Sequence, residues 1–368
     1  MNRELQNMSE ESLQNLEEIV ETELLTVEDI RERMDTTEKG KIRQSIQNCK
    51  YALEHDPCLK GVICRNEMTC QIDIMKKMPW KRRGVHMTDT DMNNLALYLE
   101  KNYGLTSDRV IAKAIDIVAN ENSFHPILEY LESLKWDGIP RIQHMLTHFF
   151  GAEDIAYTGE VMKMHMMGAI RRLYEPGAKY DIMLCLVGGQ GTGKSTFFRY
   201  LAIKDEWFTD DMKRIDDKKV YEYLQGHWIV EMSEMNAVAN AKSIEETKSF
   251  LSRQKDIYRI PYEKRAEDRY RQCVFCGTSN DLNFLPFDRT GNRRFAPVRY
   301  FRKKRKLPFM KMKQNPEYTL PRHGGGNGDL PKRKLSDDLF VGDGRSRQTS
   351  AKGIHAGRYP DRYDPGIP

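Results

Sequence analysis

The sequence predicts an α/β core over residues 181–300, with a mainly helical region before it and a disordered segment after it. Three observations predict this. Residues 182–187 are an unbroken apolar run, as a strand buried on both faces requires. Two further short apolar runs, 228–230 and 273–277, recur downstream. Beyond residue 301 hydrophobic periodicity is lost and Gly, Pro, Lys and Arg dominate.

Composition bounds the rest. With 39% hydrophobic residues in 368, the chain can fill a core, and no apolar run approaches the eighteen or so residues of a membrane span. Seven scattered cysteines, an odd number, fit a reducing cytoplasm rather than a disulfide framework. The net charge of +5 hides a segregation: residues 1–35 hold 3 basic and 11 acidic side chains, while residues 301–368 hold 16 and 7. The expected parts are a helical region with a small hairpin at 1–120, a helical lead-in at 121–180, the core at 181–300, and the tail.

From the N-terminus, residues 1–35 predict an amphipathic helix capped by Ser9, with Leu13, Leu16, Val20 and Leu24 on one face. A second helix carries Ile42, Ile46, Cys49 and Leu53. Residues 56–80 alternate around Gly61, Asn66 and Pro79, which predicts a hairpin; Cys58, Cys64 and Cys70 lie there without the C-x-x-C pair of a zinc site. Helices are predicted over 91–103 and 107–120, then helix, turn and helix over 126–150. His144 and His148 stand four apart in the last of these and read as surface or packing residues. Met162, Met164, Met166 and Met167 predict a core face in the next helix.

The strand at 182–187 runs straight into Gly188-Gly189-Gln190-Gly191-Thr192-Gly193-Lys194-Ser195, and helical signal follows at once through Thr196. G-x-x-x-x-G-K-[ST] is a phosphate loop: its glycines let backbone N–H groups turn inward, and a helix dipole faces the same anion. The fold class is therefore a P-loop nucleoside triphosphatase, with residues 188–196 as the ATP cradle. Lys194 would reach the β- and γ-phosphates, and Ser195 would hold Mg²⁺.

Triphosphate hydrolysis needs one carboxylate near the metal's water shell and another to orient the attacking water. Glu231 and Glu234, after the strand at 228–230, are the candidates, with Glu231 also a candidate metal residue; which acid does which job stays open. Asn280, at the tip of the third strand, is placed to sense the γ-phosphate or hold the water. Between these strands residues 248–271 hold eight basic residues among Tyr258, Tyr262 and Tyr270, a pattern suited to single-stranded nucleic acid, with a solvated charged face as the alternative. DRTGNRRF at 288–295 presents three arginines, among them Arg293 and Arg294, one of which could act as a finger on a neighbouring subunit's nucleotide.

These motifs in this order resemble one family. WDG at 136–138 with Pro140 and Arg141, the phosphate loop, WIVEMSEM, YRIPY at 258–262, and GTSN followed by TGNRRF are similar to the virulence-associated E family, phage- and island-borne P-loop proteins related to superfamily 3 helicases. The likeness extends over about residues 45–300. It implies an AAA+-like core, with Lys194 and Ser195 in Walker A, Glu231 or Glu234 in Walker B, Asn280 as sensor 1, and Arg293 and Arg294 in the arginine-bearing segment. It also implies single-stranded DNA as partner, a homo-oligomer such as a hexameric ring, and a primase as a further partner. Met232 and Ser233 separate acids that are often adjacent in relatives, and the likeness stops near Val298. A frameshift or gene fusion is the expected origin of the tail, with a basic DNA-binding segment as the alternative.

The leading expectation is thus an ATP-dependent, helicase-like replication protein of a phage or mobile element. A P-loop small-molecule kinase and a nucleotide-binding regulator without helicase activity are the alternatives.

Overall fold

The computed structural model describes residues 25–135, 138–212, 220–233, 235, 241–258, 267–281 and 293–301. The helix expected before residue 25, WD of the WDG motif, Glu234, residues 259–266, most of DRTGNRRF and the tail from 302 lie outside the described residues. Two compact units divide the chain, Met1–Pro126 and Ile127–Pro368.

The first unit is mainly helical. α1 (Val27–Glu32) starts at Thr26, whose side chain accepts from the Asp29 amide while Asp29 answers to the Thr26 amide, a reciprocal cap. α2 (Ile46–His55) starts at Ser45, three residues later than the spacing of Ile42 suggested; Ile42 instead bridges Thr36 in extended backbone. β1 (Ile63–Arg65) and β2 (Ile72–Ile74) form the expected hairpin, antiparallel with Cys64 opposite Asp73. α3 (Asp89–Tyr103) has a second reciprocal cap, Thr88 with Asp91, and ends at Gly104 with φ +65°. α4 (Asp108–Glu121) packs its Ile111, Ala114, Ile115 and Val118 stripe onto Cys49, Leu53, Leu95 and Leu99. Asp56, fully buried in this core, accepts from the hydroxyls of Tyr98 and Tyr103, so its buried carboxyl is hydrogen-bonded.

In the second unit α5 (Pro126–Glu132) leads to a 3-10 turn over Ile142–His144 and a π-helical turn over Leu146–Phe150. The single helix expected at 142–150 is therefore broken, and His144 stacks on His148 with ring centroids 5.6 Å apart. α6 (Ala156–Tyr174) buries Met162 and Met166, with Met164 and Met167 half-buried, so only part of the methionine set faces the core. His165 is buried between them, and neither ring nitrogen has a hydrogen-bond partner among the described residues.

Five parallel strands follow in the order β4–β5–β8–β3–β9: β3 (Met183–Val187), β4 (Phe208–Thr209), β5 (Ile229–Met232), β8 (Val274–Ser279) and β9 (Phe295–Arg299). Both β3 and β5 are buried throughout, as a strand covered on both faces must be. α7 (Lys194–Leu201) follows β3, while α8 (Val220–Leu224) and α9 (Ala241–Leu251) line the other face with Val220, Ile244, Phe250 and Leu251 against Cys185, Val230 and Phe275. Alternation along the strands puts Glu231 and Thr278 on the face opposite that cluster.

Two arginines fasten this unit. Arg172 of α6 is 1% exposed and donates to the carbonyls of Ala178, Cys273 and Tyr180. Trp228, which precedes β5, donates its indole N–H to Ala169 O of the same helix at 3.0 Å. A second hairpin, β6 (Lys255–Tyr258) and β7 (Glu267–Tyr270), leaves the sheet before β8. Arg271 at its base makes a two-point ion pair with Asp256 and lies over the Phe250 ring, 4.3 Å from the centroid. Among the described residues, no helix is long and apolar enough to cross a membrane.

Candidate functional site

Because all five strands are parallel, their carboxyl ends share one edge, and there Lys194, Ser195, Glu231 and Asn280 converge. The loop at 188–193 leaves β3 at Val187 and enters α7 at Lys194 through Gly193, whose φ of +85° an L side chain rarely adopts. Gly188 is required for a different reason: a Cβ there would stand 2.8 Å from the Cβ of Tyr300. Its amide donates to Ser279 O of β8 at 3.1 Å, which fixes the loop's first residue to the neighbouring strand. Thr192 Oγ1 donates to Gly189 O at 2.9 Å and closes the loop on itself. Gln190 and Gly191 are exposed at its tip, and Thr196 is exposed on the first turn of α7.

Lys194 Nζ donates to Gly188 O, Gly189 O and Asn280 Oδ1, at 2.7, 3.0 and 2.8 Å. All three ammonium protons are thus aimed into the mouth of the loop. Burial lowers its pKa from the ordinary lysine value, and the nearby Glu231 partly offsets this.

Glu231 is fully buried in β5. Its Oε1 accepts from Ser195 Oγ and from Thr278 Oγ1, each at 2.8 Å, while Oε2 has no hydrogen-bond partner among the described residues. Burial pushes the Glu231 carboxyl above its usual range, with the two hydroxyl donors opposing the shift. The arrangement therefore holds a partly desolvated carboxylate behind a serine hydroxyl, at the foot of a lysine-bearing loop.

Lys194, Ser195, Glu231 and Asn280 come together; Arg293 and Arg294 do not join them. Arg294 precedes β9, donates to Asp181 at 2.9 Å and lies at the amino edge of the sheet. Six strand positions separate that edge from Gly188, about 20 Å at the rise of a β-strand. Arg293 is exposed beside it.

In the basic stretch at 248–271, Arg259, Lys264 and Arg265 lie outside the described residues; of the five described cations Lys248 and Arg271 are buried, while Arg253 and Lys255 are exposed. Lys248 pairs with Glu245, Lys255 with Asp268, Arg269 with Glu267 and Arg271 with Asp256, while Arg253 lies over Phe250. Two of these pairs, Lys255 with Asp268 and Arg271 with Asp256, form across the hairpin, so those two cations already have anionic partners within the unit. Thr278 and Tyr300 were missed by sequence reading. Thr278 was seen only as part of a strand tip, although GTSN carries it; no local signal marks Tyr300, whose role depends on β9 lying beside β3.

The fold and site define a parallel-sheet α/β protein whose polar groups converge at the carboxyl edge around a glycine loop. The chain belongs to the virulence-associated protein E-like domain family, whose sequence model matches residues 131–318. The match starts later than residue 45 and runs some twenty residues past Val298, so the family segment continues into what composition assigned to the tail. No curated protein matches the chain. Two solved structures are similar: the A-form apo structure of the NrS-1 C-terminal region at 16% identity and TM-score 0.45, covering 74% of this chain and 68% of that one; and its 305–718 form at 15% identity and TM-score 0.43, covering 74% and 67%.

Proposed function

We propose that this protein is a P-loop ATPase of the superfamily 3, AAA+-like kind, acting with Mg²⁺ in replication of a phage or mobile element on single-stranded DNA. The observation that carries the reading is the convergence of Lys194, Ser195, Glu231 and Asn280 on one loop mouth, with Glu231 Oε1 2.8 Å from Ser195 Oγ and Asn280 Oδ1 2.8 Å from Lys194 Nζ.

The residues fit the nucleotide and its metal. Hydroxyl and carboxylate oxygens are the donors a hard cation takes, and Glu231 Oε2 is a buried acceptor without a partner. When bound, Mg²⁺–ATP supplies the phosphoanhydride to be cleaved and a cation that neutralises charge on its oxygens. Lys194 would turn its protons from Gly188 O and Gly189 O to phosphate oxygens. Ser195 would hold the metal, and Glu231 would accept hydrogen bonds from its water shell. Asn280 orients either Lys194 or the attacking water, and Glu231 or Glu234 aligns that water. Arg293, exposed and far from this loop in its own chain, would act on the nucleotide of a neighbouring subunit in a ring-shaped homo-oligomer, while Arg294 is held by Asp181.

ATP hydrolysis measured with and without single-stranded DNA tests the reading. Wild type should turn over ATP faster with DNA, and Lys194→Ala should lose turnover by at least about 10²-fold while melting as wild type does. Phosphate transfer to a metabolite would indicate a small-molecule kinase, and binding without turnover a regulator; either overturns the motor.

A further inference from the structure

The first unit carries a charged loop that the site at the sheet edge does not use. Between Asp73 and Asp89 stand Lys76, Lys77, Lys81, Arg82 and Arg83, and no Asp or Glu. The loop extends the β1–β2 hairpin: Ile74 N donates to Val85 O at 3.0 Å, and Met87 N to Ile72 O at 2.8 Å, so both stems are fixed.

Its interior is fixed as well. Met78 is 6% exposed and sits in the unit's core. Asp91 at the start of α3, 2% exposed, accepts from Trp80 Nε1 at 2.8 Å and from Arg82 Nε at 2.7 Å. Arg82 also donates to the carbonyls of Val85 and His86, at 3.2 and 3.3 Å. Gly84 turns the chain with φ +77°. Three inward residues thus hold the backbone, and Lys77, Lys81 and Arg83 are left exposed on it.

We propose that this loop is a binding surface for the phosphate backbone of a nucleic acid, with Lys77, Lys81 and Arg83 as its phosphate contacts. Three cations on a fixed backbone, with no acid in the intervening sequence, attract phosphates without the ordering cost of a flexible basic tail. An anionic membrane is disfavoured, because Met75 and Val85 are two separate exposed side chains on a loop, whereas surface insertion uses a helix with a continuous apolar face. The choice of nucleic acid over an acidic protein rests on the replication reading above. Contacts of this kind position a strand without reading its bases.

The test is fluorescence anisotropy of the full chain on a labelled oligothymidylate and on a labelled duplex, without nucleotide, through a salt titration. K77A/K81A/R83A is compared with wild type and with K39A/K41A/K113A, which removes three exposed lysines elsewhere in the same unit. The loop variant should flatten the slope of log affinity against log salt by about 2 on the single strand or about 2.7 on the duplex. It should also weaken binding more than about tenfold, while the control keeps the wild-type slope. Residues 302–368 are the same in all three proteins, so their contribution cancels. An unchanged slope in the loop variant, an equal loss in the control, or a loss of binding to phosphatidylserine vesicles with DNA binding intact would each overturn the proposal. No nucleotide is present, so failure of the ATPase reading would show as absent turnover and leave this comparison unaffected.

Discussion

Asn280 Oδ1 accepts a hydrogen bond from Lys194 Nζ at 2.8 Å, joining the residue after β8 to the first residue of α7. The bond places the only side-chain acceptor of the three around that ammonium at the end of a neighbouring strand; the other two are carbonyls of the loop itself. Asn280→Ala should therefore leave Lys194 with loop carbonyls alone. ATP binding should change little, and kcat should fall by about 10²-fold, the usual cost of losing one oriented polar group in a charge-stabilising site. Equal losses in binding and turnover would mean that Asn280 shapes the loop rather than the reaction.

Glu231 makes a prediction of opposite sign for activity and stability. Its carboxyl has a raised pKa because it is buried, so the folded protein holds that proton more tightly than the unfolded chain does. The group favours the fold below its ordinary value of 4.5, and that contribution is lost as pH rises through the folded value. At neutral pH and above, Glu231→Gln should thus melt higher than wild type, with the gap closing as pH falls toward 4.5. The same variant should lose ATP turnover. Melting curves over a pH series check the first half, and a variant less stable than wild type at every pH would reject it.

His165 works the other way. It is fully buried, neither ring nitrogen has a hydrogen-bond partner among the described residues, and burial pulls its pKa down from 6.5 to about 4. The stability it leaves intact above pH 6.5 should be lost as pH falls toward 4, by about 3 kcal/mol over that window. His165→Leu should flatten this part of the acid limb. Urea unfolding at several pH values measures it, and parallel pH profiles for the two proteins would show that acid sensitivity arises elsewhere.

Arg293 and Arg294 should separate. Arg294→Ala breaks a partly exposed ion pair with Asp181 and should cost less than about 1 kcal/mol. Arg293→Ala, at an exposed position, should melt as wild type. If Arg293 acts on the neighbouring subunit, that inactive variant mixed with inactive Lys194→Ala protein should regain turnover, because some mixed interfaces are intact. No recovery in confirmed mixed assemblies would remove the trans role.

Much of this was readable in advance, for reasons that differ by residue. The strand carrying Leu184 and Leu186, the loop ending in Lys194 and Ser195, and the strand carrying Glu231 are local patterns, and local patterns survive in a linear reading. That Asn280 meets Lys194 required only that two strand tips share an edge. Charge pairing was not readable: Arg271 and Asp256 meet because a hairpin folds back in one register, and nothing in the run of cations indicates that register. The break at Met145, where a helical pattern becomes two short turns, was hidden because residues such as Leu146 and Phe149 are buried under either geometry. The rigid loop around Trp80 escaped notice because its order comes from Asp91, a residue that sequence reads only as the start of a helix.

Arg172 and Trp228 secure α6 to the sheet through four main-chain carbonyls, at Ala178, Cys273, Tyr180 and Ala169. Every residue type carries a carbonyl, so the accepting half of each bond has no genetic address. A substitution at any of those four positions leaves the acceptor in place and acts through packing, since Ala169 and Cys273 are buried. Changes at positions 172 and 228 remove the donors themselves, so this set of bonds depends on two codons.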